Sequence, residues 1–274
     1  MFEIDIDKVV AVLTDNTNVN KAAWKILKKK YQEKYISYYG CSSHILNLLL
    51  EDISKVNTFN DVVDSFGEII KEIKRCSMLD ACFKEIQANN IDDKKKHSLK
   101  TAGKTRWGSN LLSMKSVYFN KSNLQQLAIS TSTKAQKYIK AITKATLLDD
   151  VSWEKQSLVV EFLRPVLDWI TILETNHTTL SKVYVGYKNI QHHINDYINK
   201  NSQTFQDSEK KVILKALNKP KKMMITPIHL AACLFEPKMK DDDLDQEEKN
   251  LAMNHILKWG KIRLNISEKN LIKE

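Results

Sequence analysis

Glycine and proline are so rare in this chain that few turns can interrupt it, and this scarcity constrains the fold more than any other feature. Only 6 Gly and 4 Pro occur in 274 residues. Sandwiches and barrels built from many short strands need frequent turns, which these two residue types favour. The chain is 42% apolar and can bury a large core, so disorder throughout is excluded. The sequence therefore predicts a mostly helical protein.

Two short apolar runs near the start are predicted to be strands. The first, VVAVLT at residues 9–14, is β-branched and ends abruptly at Asp15. A continuous apolar run of this kind indicates a strand buried on both faces. The second, ISYY at residues 36–39, is stopped by Gly40.

The helix predicted between these strands begins at Asn18 or Asn20, since asparagine is a favoured N-cap, and continues to Lys34. Ser42 or Ser43 opens the next helix. This strand–helix–strand–helix order is α/β in character. The inner face of the first helix is predicted to carry Ala22, Ala23, Ile26 and Leu27.

Helical spacing of apolar residues dominates from about residue 60 onward. The polar stretch 89–103 predicts a loop, the segment Lys219-Pro220-Lys221-Lys222 predicts a helix break, and an acidic linker begins at Asp241. Later helices are predicted at 107–119, 131–147, 152–174, 178–199, 205–217, 227–235 and 244–262. The predicted fold class is an α/β fragment of about two strands plus a mostly α region. The predicted domains are residues 1–75, residues 76–240 with a basic loop near 89–106, and residues 241–274.

The charge balance and the cysteine pattern narrow the partners and the compartment. The formal net charge is +10, which favours nucleic acid over an anionic membrane. Four scattered cysteines without a C-x-x-C pattern indicate neither a disulfide framework nor a zinc ribbon. No apolar run reaches the roughly 20 residues that span a bilayer, and the start of the chain is acidic. We therefore expect a nuclear or cytoplasmic protein, neither secreted nor bound to a membrane.

Asp15 stands directly after the first predicted strand. Two or three carboxylates at such a sheet edge can hold Mg²⁺ for phosphoryl chemistry. The alternative is that Asp15 or Asn16 caps the following helix or stabilises a turn.

Cys41 and His44 follow the second predicted strand at a spacing that could supply half of a zinc site. No second pair with suitable spacing is visible in the sequence. The alternative is a small thiol and a helix-start histidine that pack into the core.

A basic segment that ends in an aromatic residue precedes the predicted helix 107–119. Basic residues followed by an aromatic suit phosphates and a stacked base, although Trp107 could equally pack at the helix start. Gly103-Lys104-Thr105 resembles the tail of a nucleotide P-loop, but the required upstream glycine and strand are missing, so that motif is excluded. The candidate DNA-binding residues are Lys94, Lys95, Lys96, Lys100, Lys104, Arg106 and Trp107.

Several of these segments, taken in order, resemble hAT-type transposases, especially their domesticated or degenerate relatives. Residues 167–180 are also similar to that family's insertion-domain helices. The segments that carry the resemblance are VLTDN (12–16), KAA (21–23), YGCSSHILNL (39–48), TRW (105–107), ITPIHLAA (225–232) and EPK (236–238).

The resemblance implies a ribonuclease H-like catalytic domain that is interrupted by a helical insertion and cuts and joins DNA with three acidic residues and a divalent metal. By motif, Asp15 matches the second acid, and Cys41 and His44 match a Cys-x-x-His pair that supports the active site. Arg106 and Trp107 match an Arg-Trp pair whose tryptophan stabilises a base flipped out of the duplex.

The chain departs from the family where the first and third acids are expected. Only fourteen residues precede Asp15, and no late glutamate-bearing helix matches. One carboxylate cannot organise a two-metal centre, so we expect a catalytically inactive, transposase-derived protein that needs no cofactor and retains DNA binding; Mg²⁺ would require the complete triad. Two alternatives stay open: a helical protein-interaction module that buries an apolar face in a partner or in a homo-oligomer without binding DNA, and an active nuclease with two further carboxylates beside Asp15.

Overall fold

Helices and one small sheet account for the regular structure of this computed structural model, which describes residues 4–90, 97–103, 107–240 and 243–266, with backbone only at Trp107, Thr133 and Lys134. The strands are β1 (Ala11–Thr14) and β2 (Ser37–Gly40). The helices are α1 (Asn18–Lys30), α2 (Ser42–Ser54), α3 (Asn57–Arg75), α4 (Ser77–Asn89), α5 (Trp107–Tyr118), α6 (Lys121–Ile129), α7 (Thr133–Tyr138), α8 (Ala141–Leu148), α9 (Asp150–Leu173), α10 (Leu180–Lys200), α11 (Asp207–Met224), α12 (Pro227–Leu234) and α13 (Gln246–Arg263). The predicted class, a short α/β part followed by a helical region, is confirmed.

The two strands pair in parallel, as expected for strands joined by a helical crossover. Ala11 lies opposite Ser37, and Leu13 lies opposite Tyr39. The prediction that β1 is buried on both faces is wrong, because Leu13 is 58% exposed. Within the described residues the sheet has two strands, and no described element covers that side of β1.

The first helix differs from its prediction at both ends and on its inner face. Thr17 is the N-cap, and its hydroxyl accepts a hydrogen bond from the amide of Asn20 at 3.4 Å. The helix stops at Lys30, and Tyr35 then adopts a left-handed backbone with φ 48°. Of the predicted inner face, Ala23 and Leu27 are half-buried, whereas Ala22 and Ile26 are exposed.

A proline inside α11 does not end that helix. The predicted break at 219–222 is therefore wrong, since α11 continues through Pro220 to Met224. An internal proline costs a helix about 3 kcal/mol. Leu217 and Met224 are almost completely buried on the two sides of Pro220, and burial of such side chains offsets a cost of this size.

The chain forms two compact units, and each gathers stretches that are distant in sequence. Unit 1 comprises Met1–Leu49, Trp169–His192 and Leu214–Glu274, and unit 2 comprises Leu50–Asp168 and His193–Ile213. The division into domains at residues 75 and 240 stays a prediction. None of the described helices has the combination of length and apolar character that a membrane span requires.

Unit 1 has a core built between α10, α12 and α13. Its buried cluster contains Tyr184, Leu230, Cys233, Leu244 and Ala252. The Tyr184 hydroxyl donates to one oxygen of the buried Glu248 carboxylate at 2.6 Å, and the Lys221 ammonium lies 3.4 Å from the other oxygen. Burial is the first cause that raises the pKa of Tyr184, and the hydrogen bond to Glu248 raises it further.

Unit 2 packs aromatic side chains in its core and takes helix caps from neighbouring helices. Phe162 contacts Phe59 and Phe205 at ring-centroid distances of 5.1 and 5.4 Å. The N-caps of α3 and α8 have no side-chain capping bond of their own. The Glu209 carboxylate instead accepts from the Thr58 amide at 3.1 Å, and Glu72 accepts from the Lys140 amide at 2.7 Å. These caps satisfy amides that the helix itself leaves unpaired.

His229 joins the sheet to α12 in unit 1. It is fully buried, its Nδ1 accepts a hydrogen bond from the Thr226 amide at 3.3 Å, and its ring meets that of Tyr39 edge to face at 4.8 Å. Burial lowers the pKa of His229 to about 4. The neutral imidazole is therefore the form that the fold stabilises.

We predict that unit 1 loses stability in acid through His229. An unfolded histidine takes up its proton near pH 6.5, whereas folded His229 does so only near pH 4. Between these values the unfolded state binds more protons, so the free energy of unfolding falls as the pH is lowered, by on the order of 3 kcal/mol. Urea unfolding at pH 7, 5.5 and 4.5 measures this slope.

The matched variants are His229→Asn, whose side-chain oxygen can replace Nδ1 as the acceptor, and His177→Asn on the exposed loop between α9 and α10. We expect a shallower slope in His229→Asn and an unchanged slope in His177→Asn. Equal slopes in the parent and in His229→Asn would contradict the assignment.

Candidate nucleic-acid interface

Asp15 lies at the carboxyl end of β1, as predicted, and its carboxylate closes the turn that leads into α1. Its Oδ1 accepts from the Thr17 amide at 3.1 Å and from the Asn20 side-chain amide at 2.6 Å. The hydrogen bond from the Thr17 backbone is the first cause that lowers the pKa of Asp15. The geometry therefore matches the turn-stabilising alternative that the sequence left open.

The structure brings Cys41 and His44 to the same end of the sheet. The Cys41 amide donates to the Thr14 carbonyl at 2.7 Å, and the Asn16 side chain donates to the Cys41 carbonyl at 3.4 Å. An electrostatic interaction with His44 is the last of the causes that lower the pKa of Asp15. Gly40 makes this packing possible, because a Cβ at that position would collide with the Asn16 side chain.

The described residues at this sheet end do not fit a two-metal centre. Such a centre needs several acidic ligands around metals about 4 Å apart. Over the described ranges of the chain, no group of three His, Cys, Asp or Glu side chains lies close enough to hold a metal ion.

The basic segment between α4 and α5 is partly described. Lys100 is exposed, and Trp107 is the first residue of α5. The remaining predicted DNA-binding residues, Lys94, Lys95, Lys96, Lys104 and Arg106, lie outside the described residues.

Side-chain amides fix this segment to unit 2 through a hydrogen-bonded group that we call the amide cluster, Gln87, Asn90, Asn120 and Asn123. Asn120 is fully buried, and its Oδ1 accepts from Gln87 at 2.6 Å and from Asn123 at 3.3 Å. Its Nδ2 donates to the carbonyls of His97 and Ser116, each at 2.8 Å. All four hydrogen-bonding positions of Asn120 are thus used.

The amide cluster forms hydrogen bonds to the segment on both sides of residues 91–96. On the preceding side, Asn90 donates from its side chain to Asn123 at 2.9 Å. On the following side, the His97 carbonyl also accepts from Gln87 at 2.8 Å. The two ends of the triple-lysine stretch are therefore anchored to the same buried group.

Further bonds hold the residues that follow His97. The Lys100 amide donates to the Ser116 hydroxyl at 2.9 Å, and the Gly103 amide donates to the Ser109 hydroxyl at 2.8 Å. Leu99 buries its side chain, whereas its neighbour Lys100 is exposed. The backbone is thus fixed while the charged side chain faces solvent.

The sequence analysis did not identify Gln87, Asn120 or Asn123 as residues of the site. Asn120 and Asn123 stand three residues apart, close to apolar positions such as Leu124 and Leu127, and buried amides in that setting need partners. Two asparagines within an apolar pattern were therefore the sequence signal that could have indicated the cluster. Their partners at Gln87 and His97, however, lie more than 20 residues away from Asn120 along the chain.

We predict that Asn120→Asp destabilises unit 2 by about 2–4 kcal/mol. The substitution keeps the shape of the side chain but replaces an NH₂ donor, which faces two carbonyls, with an acceptor. Urea unfolding at pH 7 measures the loss. Asn199→Asp, at an exposed position of α10, is the control and should change stability by no more than about 0.5 kcal/mol. Equal stability of the two variants would contradict a structural role for the cluster.

Comparisons with known proteins give two family-model matches. Residues 1–73 match a domain of unknown function, DUF659, and residues 39–155 match the model described as the ZBED1 RNase-like helical domain. No curated protein matches the chain, and no solved structure matches it. DUF659 is found in hAT-type transposase-like proteins, so the two matches together support a transposase-derived protein that is similar to the hAT and ZBED groups.

Proposed function

We propose that this chain is a catalytically inactive, transposase-derived DNA-binding protein that contacts DNA phosphates through its basic loop near 89–106. The observation that carries the proposal is the amide cluster, which fixes the backbone at both ends of the triple-lysine stretch. A nuclear location goes with this proposal, since DNA is the proposed partner.

Charge density supports the assignment to this loop. Residues 94–106 contain Lys94, Lys95, Lys96, Lys100, Lys104 and Arg106. Phosphate contacts by lysine and arginine supply most of the sequence-independent affinity for DNA. Because the flanking backbone is already anchored, less conformational freedom is lost on binding than for an untethered basic tail.

The proposed inactivity rests on how the carboxylate of Asp15 is used. Its Oδ1 holds the start of α1 through Thr17 and Asn20. Recruiting that oxygen as a metal ligand would cost α1 these hydrogen bonds. The role proposed for Asp15 is therefore structural, with catalysis lost from an ancestral site.

We predict steeply salt-dependent binding to duplex DNA. Log Kobs should fall linearly with log[salt], with a slope of about −0.9 for each phosphate contacted. In Lys100→Gln/Lys104→Gln/Arg106→Gln the affinity should fall, and the slope should become shallower by about one for each contact removed. Fluorescence anisotropy with a labelled duplex at several salt concentrations measures both quantities.

The control is Lys211→Gln/Lys215→Gln/Lys222→Gln, which removes the same charge from exposed positions of α11. It should leave the salt slope unchanged. Two results would overturn the proposal: no micromolar binding at low salt, or the same loss of affinity in both triple variants.

We also predict that the chain does not cleave DNA. Supercoiled plasmid incubated with the protein and Mg²⁺ or Mn²⁺ should stay intact, and Asp15→Asn should behave as the parent does. The assay is sensitive to single nicks, which relax the plasmid. Nicking that is present in the parent and lost in Asp15→Asn would establish an active centre and refute the proposed inactivity.

Self-association is the second candidate function, and an apolar groove on unit 1 favours it. The groove has a volume of about 410 Å³ and is lined by residues that include Ile228, Ala232 and Trp259. Phe235, which also lines it, is 72% exposed, and exposed apolar surface of this kind marks interaction sites. Light scattering beside the DNA assay separates the two functions: a stable dimer indifferent to DNA would favour this one.

A further inference from the structure

Three aromatic rings contact one another at the surface of unit 2, next to the point where the His97 backbone is bonded to the amide cluster. The His97 ring stacks on Phe119 with centroids 4.5 Å apart and an interplanar angle of 18°. Tyr118 and Phe119 form a T-shaped pair with ring centroids 6.0 Å apart. Phe119 is 45% exposed and Tyr118 is 43% exposed. We call this group, His97, Tyr118 and Phe119, the aromatic step.

The aromatic step is held in place by the amide cluster beneath it. The carbonyl of His97 accepts from Gln87 and Asn120, and Asn120 directly follows Phe119 in the chain. The Phe119 amide donates to the Lys115 carbonyl at 3.2 Å, so the backbone under the ring is also bonded. Both rings of the stacked pair are therefore anchored through their own main chain.

Stacking leaves part of Phe119 open. A ring has two faces, and His97 covers one of them. With 45% of Phe119 exposed, part of this side chain is accessible to a further flat ring. Offset-stacked aromatic pairs contribute beyond their buried area, and nucleobases stack on aromatic side chains in a sequence-tolerant way.

Positive charge borders the aromatic step. Lys100 is exposed, lies three residues after His97, and has its amide bonded to Ser116, one helical turn before Asn120. Lys115 lies in the last turn of α5, and its carbonyl accepts a hydrogen bond from the Phe119 amide at 3.2 Å. No ion pair joins either lysine to a carboxylate within the described ranges. Aromatic rings between lysines form the surface that single-stranded nucleic acid binds.

We propose that the aromatic step binds an unpaired nucleobase of DNA by stacking on Phe119, with Lys100 and Lys115 contacting the adjacent phosphates. The proposal rests on the proposed DNA-binding function and deepens it. It predicts a preference for unpaired or single-stranded segments over intact duplex, because a base must leave its own stack to reach the ring. The charge beside the rings favours a polyanion over a protein helix as the occupant.

The test is binding of the full chain to a single-stranded oligonucleotide that contains 2-aminopurine, and to the matching duplex. In Phe119→Leu, which keeps an apolar side chain but removes the ring, affinity for the single strand should fall by at least about fivefold. Affinity for the duplex and the salt slope should stay unchanged. The parent should quench 2-aminopurine fluorescence, and Phe119→Leu should quench it less.

The control is Tyr138→Leu, which removes an equally exposed aromatic ring from α7 of unit 2 and should behave as the parent does. Salt-dependent DNA binding with equal single-strand affinity and quenching in the parent and in Phe119→Leu would overturn this inference and leave the proposed function standing. Absence of binding to either DNA would overturn both. Because Phe119 is exposed, Phe119→Leu should unfold at the same urea concentration as the parent, which confirms that any lost affinity comes from the ring.

Discussion

Asn120 is the residue on which the candidate interface depends, because its side-chain amide joins α4 and α6 to the backbone of the segment at His97. It accepts from Gln87 and Asn123 and donates to two carbonyls, one of them that of His97. Inside a protein such a fully satisfied network is strong, whereas a partly satisfied one is costly. The buried cluster therefore fixes the described residues on both sides of the triple-lysine stretch to unit 2.

The candidate residues at the sheet end of unit 1 are positioned by strand pairing and not by a buried amide cluster. The parallel pair β1–β2 brings Asp15, Cys41 and His44 to one edge, which is where the resemblance to hAT transposases places active-site residues. The hydrogen bonds of Asp15 nevertheless serve the start of α1. The carboxylate of Asp15 therefore has a structural role at the start of α1. The exposure of Leu13 fits a sheet whose two strands have few neighbours among the described residues.

The local sequence pattern predicted both strands and most of the helices. The features that it missed depend on contacts between residues that are distant in sequence. Both strands were predicted because their apolar runs stop at Asp15 and Gly40, and these stops are local. The prediction for the inner face of α1 was wrong at Ile26. Helical spacing shows which residues share a face of a helix, but it does not show whether another element covers that face. The helix α6 was missed because buried Asn123 interrupts its apolar pattern. Pro220 predicted a break that the burial of Leu217 and Met224 overrides. The amide cluster could not be predicted, because its partners are far apart along the chain.

The central proposal is that DNA contacts the anchored basic segment of unit 2, and that the lysine-dense helix α11 is not the main contact. Photo-crosslinking of the full chain to a DNA that carries a photoreactive base, followed by peptide mapping at low and high salt, tests this claim most directly. The account predicts adducts within residues 94–107 and at 118–119, all lost as salt rises. Adducts confined to α11, or adducts that salt does not remove, would contradict it.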